Sequence, residues 1–291
     1  SDIAKQSNIL PLSYPLTAKS LLAKYQVIDL AEYEESKIKR AFINPTNFTS
    51  KAVEPVQCSL DDKPDLNVIF VDTSNNEKIK AWLNKNNISF QSHQHLNLSR
   101  DLDAAVFNVN TGLPGLYQAI DSVQPFDINH YLSKEKITVE VHHGQYQLSD
   151  TYENNLNSRA YVFYDKDNTD IFYRTSVLLI GFKEIRRSEL IVQPQNLTAS
   201  YLSEQLTCAD FVQKNLIDKP ISELHTNSIF TNYNNGYFNV LYKDSVLLFK
   251  NGQLIDHKAF SNNRKLSSNV DLFVLEQAIA NMTSRRIKVE Q

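Results

Sequence analysis

Three residues with ligating or reactive side chains follow a short apolar run. Residues 66–71, Leu-Asn-Val-Ile-Phe-Val, lead directly into Asp72, Thr73 and Ser74. An apolar run of this length, ended by polar turn-forming residues, is typical of a buried strand. Because ligands of open α/β sheets bind at the carboxyl ends of strands, these three residues are a candidate site. The alternative is that they only form the turn into the next helix.

A hydroxyl, a guanidinium and a carboxylate are adjacent at Ser99, Arg100 and Asp101, just before a predicted helix. A hydroxyl at a helix start beside a guanidinium suits a phosphate or sulfate group. The same residues equally suit the N-cap of the helix. Both interpretations stay open on the residues alone.

Asp165, Asp167 and Asp170 have some of the oxygen spacing of a calcium-binding loop. The segment lacks the glycine that makes the sharp turn of such loops. The bidentate glutamate of the twelfth position is also missing, because Val177 stands there. We therefore expect a solvated hairpin tip.

Two pairs of adjacent residues have weaker signals. His142 and His143 end a predicted strand, so their side chains point to opposite faces, which is poor geometry for one metal. Arg186 and Arg187 could grip a phosphate or a carboxylate, although a solvated loop explains them as well. The chain has no G-x-S-x-G, H-E-x-x-H or nucleophilic cysteine signature.

Composition bounds the class of protein. The chain has 291 residues, 42% hydrophobic and 22% charged, which is ordinary for a globular protein with a full core. A formal net charge of -3 gives no electrostatic case for nucleic-acid binding. With only 6 glycines and no G-x-G-x-x-G or Walker pattern, phosphate-cradling loops are not expected.

Features of the sequence point to different cellular locations. No apolar segment is long enough to span a bilayer and no signal peptide opens the chain, which taken literally indicates the cytosol. The sequence begins at Ser1 without methionine, which is consistent with a piece of a longer protein that carries a membrane anchor. Cys58 and Cys208 could form a disulfide in an oxidising compartment or stay as two buried thiols; we expect the thiols.

The order of predicted elements favours one α/β domain with a mixed or parallel central sheet flanked by helices. Helices are predicted over residues 17–40, 77–86, 101–109, 197–217 and 268–282. Strands are predicted over residues 66–72, 88–90, 137–141, 160–164, 176–182 and 189–192. Residues 91–100, with His93 and His95, are expected to form a polar loop, and residues 228–257 a β-meander before the terminal helix.

Several stretches resemble the YejM/PbgA family of inner-membrane proteins of Gram-negative bacteria. The most specific is the segment 10–33, which begins Leu-Pro-Leu-Ser-Tyr-Pro-Leu-Thr and is similar to the linker of that family. The resemblance continues through residues 67–71, 87–90 with His93, 112–115, 178–182, 197–208 and 246–252. It implies a juxtamembrane linker and helix over residues 1–45 and a periplasmic domain over residues 46–291. That domain would have a shortened alkaline-phosphatase/sulfatase-like fold.

The chain departs from this pattern where chemistry is concerned. Active members of the wider superfamily use an Asp after the first strand, a later Asp-His set, and a Thr, Ser or modified Cys nucleophile. Asp72 or Ser74 falls near the first ligand, and Ser99 near the nucleophile. No counterpart of an Asp-His-Gly motif occurs between residues 115 and 177, and Gln193-Pro194-Gln195-Asn196 replaces a His-containing acidic cluster. One Asp and a Ser cannot supply four to six metal ligands.

The resemblance and its departures together predict a non-catalytic domain that faces the periplasm from the inner membrane. The implied role is envelope lipid homeostasis, with lipopolysaccharide or cardiolipin as anionic lipid partners, a possible regulatory protein partner, and no cofactor. Lys5 and Lys19 are the nearest equivalents of the family's lipid-contacting basic residues. The first alternative is a metal-dependent hydrolase or transferase with Ser99 as nucleophile and Asp72 as metal ligand. The second is a protein-interaction module that uses the β-meander.

Overall fold

The computed structural model describes residues 48–50, 58–60, 63–97, 102–119, 127–148, 157–165, 173–185, 190–216, 218–225, 227–234, 237–250, 253–267, 269–282 and 286–288. The predicted helix over residues 17–40 lies outside these ranges. So do the lipid-contact candidates Lys5 and Lys19, the nucleophile candidate Ser99, and Arg186 and Arg187.

Twelve strands are assigned in the described part of the chain. They are β1 Phe48–Ser50, β2 Leu66–Asp72, β3 Gln91–Asn97, β4 Ile137–His142, β5 Ser158–Tyr164, β6 Tyr173–Ile180, β7 Ile191–Val192, β8 Ile229–Asn234, β9 Tyr237–Tyr242, β10 Ser245–Lys250, β11 Gln253–Ala259 and β12 Arg286–Lys288. The α-helices within the same ranges are α1 Asn76–Lys85, α2 Leu102–Thr111, α3 Ile128–Leu132, α4 Pro194–Ser200, α5 Ala209–Asn215 and α6 Leu272–Met282.

Six strands form a mixed sheet in the order β4-β2-β5-β6-β3-β7. Strands β4, β2 and β5 are parallel, β6 is antiparallel to both β5 and β3, and β7 is parallel to β3. Because β2 is covered on both faces, it is apolar throughout its centre, with Val68 to Val71 all buried. The predicted α/β class with a mixed central sheet is therefore confirmed.

The C-terminal strands form a separate four-stranded antiparallel sheet in the order β11-β10-β9-β8, followed by α6. This confirms the predicted meander and terminal helix. A single large apolar cluster includes Phe70 of the first sheet, Phe238 of the meander and Ile279 of α6. Gly115 N–H also donates to Asn232 Oδ1 at 2.9 Å, across the same boundary. The two sheets thus share one core.

The opposite face of the six-stranded sheet is covered by α1. Ile79 and Leu83 of this helix pack on Val71, Tyr161 and Leu178 in a second, smaller apolar cluster. The apolar residues of α1 are four apart and therefore lie on one face, as the sequence periodicity predicts. None of the helices that the structure describes is long and apolar enough to cross a membrane.

Two local predictions are wrong. The predicted strand over residues 88–90 is irregular, and the predicted polar loop is strand β3, paired with β6 along all seven residues and with β7. The predicted continuous helix over residues 197–217 is α4, a π-helical turn at Tyr201–Gln205, a break, and α5. The break contains Thr207 in the left-handed conformation (φ 54°), and Cys208 N–H there donates to Leu202 O at 2.8 Å.

The expectation of two buried thiols is also wrong. Cys58 and Cys208 form a disulfide, with their Cα atoms 5.3 Å apart. The bond joins the segment just before β2 to the break between α4 and α5. Disulfides persist in oxidising compartments and are rare in a reducing cytosol.

Because the disulfide closes a loop of sequence separation 150, we expect its loss to lower the free energy of unfolding by about 2–5 kcal/mol. The measurement is chemical denaturation of the wild-type chain and of a Cys58→Ser/Cys208→Ser variant. Reductant should destabilise the wild type and leave the variant unchanged. Equal midpoints for the two oxidised proteins would show that this bond does not stabilise the domain.

Candidate functional site

The carboxyl edge of the six-stranded sheet gathers the side chains best suited to chemistry. Parallel pairing places Asp72 at the end of β2 directly beside Tyr164 at the end of β5. The same pairing places Val71 beside His142 at the end of β4, so His143 follows next to Asp72. A carboxylate, two imidazoles and a phenol therefore converge at one edge, as expected for ends of parallel strands.

The Asp72 carboxylate caps the turn that follows β2. Its Oδ1 accepts a hydrogen bond from Ser74 N–H at 2.9 Å and caps the 3-10 turn Thr73–Asn75. Thr73 and Ser74 themselves are exposed. Asn75 is buried, and its Nδ2 donates to Gly144 O at 2.8 Å while its Oδ1 accepts from Tyr146 N–H at 2.9 Å. These contacts fix the turn after β2 to the loop after β4.

The two adjacent histidines make separate contacts, in agreement with the predicted divergence of their side chains. His142 Nε2 lies 2.8 Å from Glu140 Oε2, and its ring packs edge-on against Tyr146. Tyr164 hydroxyl donates to His142 O at 2.9 Å and lies 2.8 Å from His143 Nδ1. Since the phenol proton points to the carbonyl, His143 Nδ1 is best assigned as the donor to the phenol oxygen.

Strand β3 carries two buried histidines that the sequence interpretation placed in a loop. His95 is opposite Thr175 of β6 and Val192 of β7. Burial lowers the pKa of the His95 imidazole to about 3, with a smaller opposing effect from the Val192 backbone. Burial also lowers the pKa of His93. Both side chains are neutral at neutral pH, which is why a strand in the protein interior can hold them.

The segment after β7 is buried although its residues are polar. Gln193 and Gln195, at the start of α4, are fully buried. Asn196 Oδ1 accepts from Gln193 N–H at 2.8 Å, and Asn196 Nδ2 donates to Lys219 O at 2.9 Å. Ser200 Oγ accepts from Ile221 N–H at 2.7 Å. Neutral amides and hydroxyls thus fix the helix that follows the edge strand.

Asp218 was not singled out by sequence reasoning, and it lies close to this buried amide group. Burial raises the pKa of its carboxyl to about 6, and the Gln195 amide opposes the shift by favouring the ionised form. The residue lines two cavities, of about 460 and 300 Å³, together with Lys219. In the sequence, Asp218-Lys219-Pro220 looks like an ordinary surface turn, so no local signal indicated it.

The described part of this edge offers few charged ligands to a divalent metal. Within the described ranges no group of three or more His, Cys, Asp or Glu side chains is placed to hold an ion. Asp72 is engaged as a cap, and the residues after β7 are amides rather than carboxylates. Asp165 lies at the end of β5, whereas Asp167 and Asp170 are outside the described residues.

The fold and this edge define an α/β domain with a mixed sheet whose carboxyl edge is rich in neutral polar groups. Residues 1–53 match a family model described as a domain of unknown function, DUF3413. No curated protein matches the chain. A solved structure described as a protein in the alkaline phosphatase superfamily from Vibrio parahaemolyticus is 9% identical, over 87% of this chain and 95% of that one, with a TM-score of 0.48.

Because unfolded histidine protonates near pH 6.5 and folded His95 only near pH 3, the unfolded state binds more protons between these values. Stability should therefore fall as pH drops below 6.5, by about 1.4 kcal/mol per pH unit for this group. Denaturation of His95→Gln across that range should show a correspondingly shallower slope than wild type.

The control is His130→Gln, since His130 is exposed on α3. Asp218 has the opposite effect on the pH dependence of stability, because its raised pKa stabilises the fold at low pH. This contribution is the same in wild type and in each variant, so it cancels in the comparison. Identical slopes for wild type and His95→Gln would mean that His95 protonates freely in the folded state.

Proposed function

We propose that this chain is the periplasmic part of an inner-membrane protein, and that it has lost the hydrolytic metal site of a sulfatase-like fold. Its role is the binding or sensing of anionic envelope lipids such as lipopolysaccharide or cardiolipin. One observation supports the proposed loss of catalysis. Where metal-dependent relatives need acidic and histidine ligands after the edge strand, this chain has the buried amides Gln193 and Gln195.

The chemistry of ester hydrolysis on such a fold explains why these amides matter. A metal polarises the ester oxygens and lowers the pKa of the nucleophile. Hard divalent cations are held by several oxygens, with carboxylates providing most of the charge. A neutral amide in place of a carboxylate supplies an oxygen without charge. The buried pair of amides therefore supports the loss of hydrolysis.

The disulfide supports the proposed periplasmic location. Cys58 and Cys208 are joined, and such bonds persist where thiols are not continually reduced. In a Gram-negative cell that compartment is the periplasm. This agrees with the orientation implied by the resemblance to the YejM/PbgA family.

The N-terminal segment supports attachment to the membrane. The DUF3413 match covers residues 1–53, the same part of the chain that contains the linker-like segment 10–33. Lys5 and Lys19 lie within it and are proposed to meet lipid phosphates. Each basic residue near an anionic surface contributes about 1 kcal/mol of attraction.

The competing function is a metal-dependent hydrolase or transferase of phosphate or sulfate esters. Its support is the convergence of Asp72, His143 and Tyr164 at the carboxyl edge of the sheet. In this reading Asp72 is the first metal ligand and Ser99 is the nucleophile. The two functions make opposite predictions about metal.

We expect calorimetric titration of the whole chain with Mn²⁺, Zn²⁺ and Ca²⁺ to show no stoichiometric site at millimolar metal. The wild-type chain should then hydrolyse chromogenic phosphate and sulfate esters no faster than the Ser99→Ala variant does. The reason is that, among the residues that the structure describes, the carboxyl edge lacks the charged ligands that a tight site requires.

The matched variant for this experiment is Asp72→Asn, which keeps the shape of the cap and removes its charge. A tight site that disappears in this variant, together with ester hydrolysis that needs Ser99, would establish the hydrolase function instead.

We expect the chain to sediment with vesicles that contain cardiolipin and phosphatidylglycerol, and not with pure phosphatidylcholine vesicles. Lys5→Ala/Lys19→Ala should weaken retention by about tenfold or more at low salt, because two contacts with anionic lipid are lost. The charge control is Lys85→Ala/Lys78→Ala, which removes two exposed lysines of α1. Retention that is unchanged in the first double variant would overturn the proposed electrostatic contact through the N-terminal segment.

A further inference from the structure

A cavity of about 290 Å³ lies between the six-stranded sheet and the meander. Residues of β3, β6 and β7 line one side. Phe230 of β8, the turn between β9 and β10, and the residues that follow β11 line the other. The cavity is close in size to the smallest pockets that take small organic ligands. It is separate from the carboxyl-edge cluster around Asp72.

The rim of this cavity is basic. Arg174, His225 and Lys243 contribute to its lining, each of them is exposed, and no Asp or Glu is among the lining residues that the structure describes. The neighbouring Asp244 is engaged with Ser261. Its Oδ1 accepts from Ser261 N–H at 2.6 Å, and its Oδ2 accepts from Ser261 Oγ at 2.9 Å. A ligand at the rim therefore meets the permanent cations Arg174 and Lys243, with the hydrogen-bonded Asp244 carboxylate beside them.

Arg174 is held in position for such a ligand. Its Nη1 donates to Phe260 O at 3.2 Å, and its guanidinium carbon lies 4.9 Å from the centre of the Phe260 ring. The guanidinium has five N–H donors, and the bond to Phe260 uses one of them. A stacked, fixed guanidinium loses little entropy when it binds a tetrahedral anion through two parallel hydrogen bonds.

Lys243 reaches the rim from an unusual backbone. It has a φ of 53° in the two-residue turn between β9 and β10, a left-handed conformation that is uncommon for a residue other than Gly, Asn or Asp. Its Nζ lies 5.1 Å from the centre of the Tyr242 ring. The turn thus places a second permanent cation at the cavity mouth.

The floor of the cavity is apolar. Leu190 and Phe230 are buried there, and Ile191 is half-buried. A basic rim above an apolar floor matches a ligand with a charged head and a hydrocarbon body. Two fixed cations favour a head with two negative charges over a carboxylate with one.

We propose that this cavity binds an organic phosphate monoester, with the phosphate on Arg174 and Lys243 and the apolar group on Ile191 and Phe230. The site stands on the geometry of the cavity and goes beyond the lipid contact assigned to the N-terminal segment. The ester is either free in solution or part of a lipid headgroup, and the experiment distinguishes these sources.

The test is calorimetric titration of the whole chain with hexyl phosphate, inorganic phosphate and hexanol. Hexyl phosphate should bind with a stoichiometry of one, inorganic phosphate more weakly, and hexanol without detectable heat. Arg174→Gln and Lys243→Gln should each weaken hexyl phosphate by about tenfold, because each removes a charge-assisted contact. Lys85→Gln, an exposed lysine on α1, should leave the affinity unchanged.

A second variant tests the contribution of the apolar cavity floor to binding. Ile191→Thr keeps the branched shape at Cβ and shortens the apolar side chain. It should weaken hexyl phosphate by about fourfold and leave inorganic phosphate unaffected, since only the hydrocarbon contact is reduced. Thermal denaturation of each variant verifies that it is folded before titration.

The source of the phosphate is tested by sedimentation with vesicles that contain phosphatidic acid. The protein carries Lys5→Ala/Lys19→Ala in this experiment, which removes the proposed N-terminal contact. Retention that Arg174→Gln abolishes assigns a lipid headgroup, whereas binding of the soluble ester alone assigns a free anion; both support the site. Hexyl phosphate that fails to bind the wild type, or that binds folded Arg174→Gln and Lys243→Gln as tightly, overturns it. Neither of those failures changes the vesicle result expected for wild type through Lys5 and Lys19.

Discussion

Parallel pairing of β2 with both β4 and β5 is the constraint on which the arrangement of this molecule depends. It brings three carboxyl ends to one edge and so places Asp72 between the loop that carries His143 and the end of the strand that carries Tyr164. The strand must be apolar on both faces to be covered by α1 on one side and by the shared core on the other. The antiparallel strands β6 and β3 then extend the same edge to His95 and Gln193.

The interior at this edge is polar without being charged. His95 is held neutral by burial, and α4 buries amides and hydroxyls that bond to backbone groups of neighbouring segments. Each such bond contributes about 1 kcal/mol, and a buried partner left without one costs more. At this edge the buried amides and hydroxyls fix helices, whereas Arg174, His225 and Lys243 line the cavity at the boundary with the meander.

The parts of the fold that the sequence predicts are those with simple periodicity. Strand β2, helix α1 and the meander have patterns that packing does not override. Strand β3 was missed because His93 and His95 count as polar by type, whereas burial makes them neutral. The break at Thr207 depends on a bond from Cys208 to Leu202 and on a disulfide with a residue far away in sequence. Asp72 was singled out because strand ends are recognisable in sequence, while Asp218 and the Arg174–Lys243 cavity arise only when distant segments meet.

The position of the disulfide has a mechanical consequence. Cys58 follows shortly after the segment 1–53, and Cys208 is buried at the junction of α4 and α5. A pulling force applied to the chain before Cys58 therefore passes through the sulfur–sulfur bond to the middle of the core. Strand β2, which comes next in the chain, is shielded from being peeled off the sheet. Tension on the residues just before Cys58 is thus shared between β2 and the junction of α4 and α5.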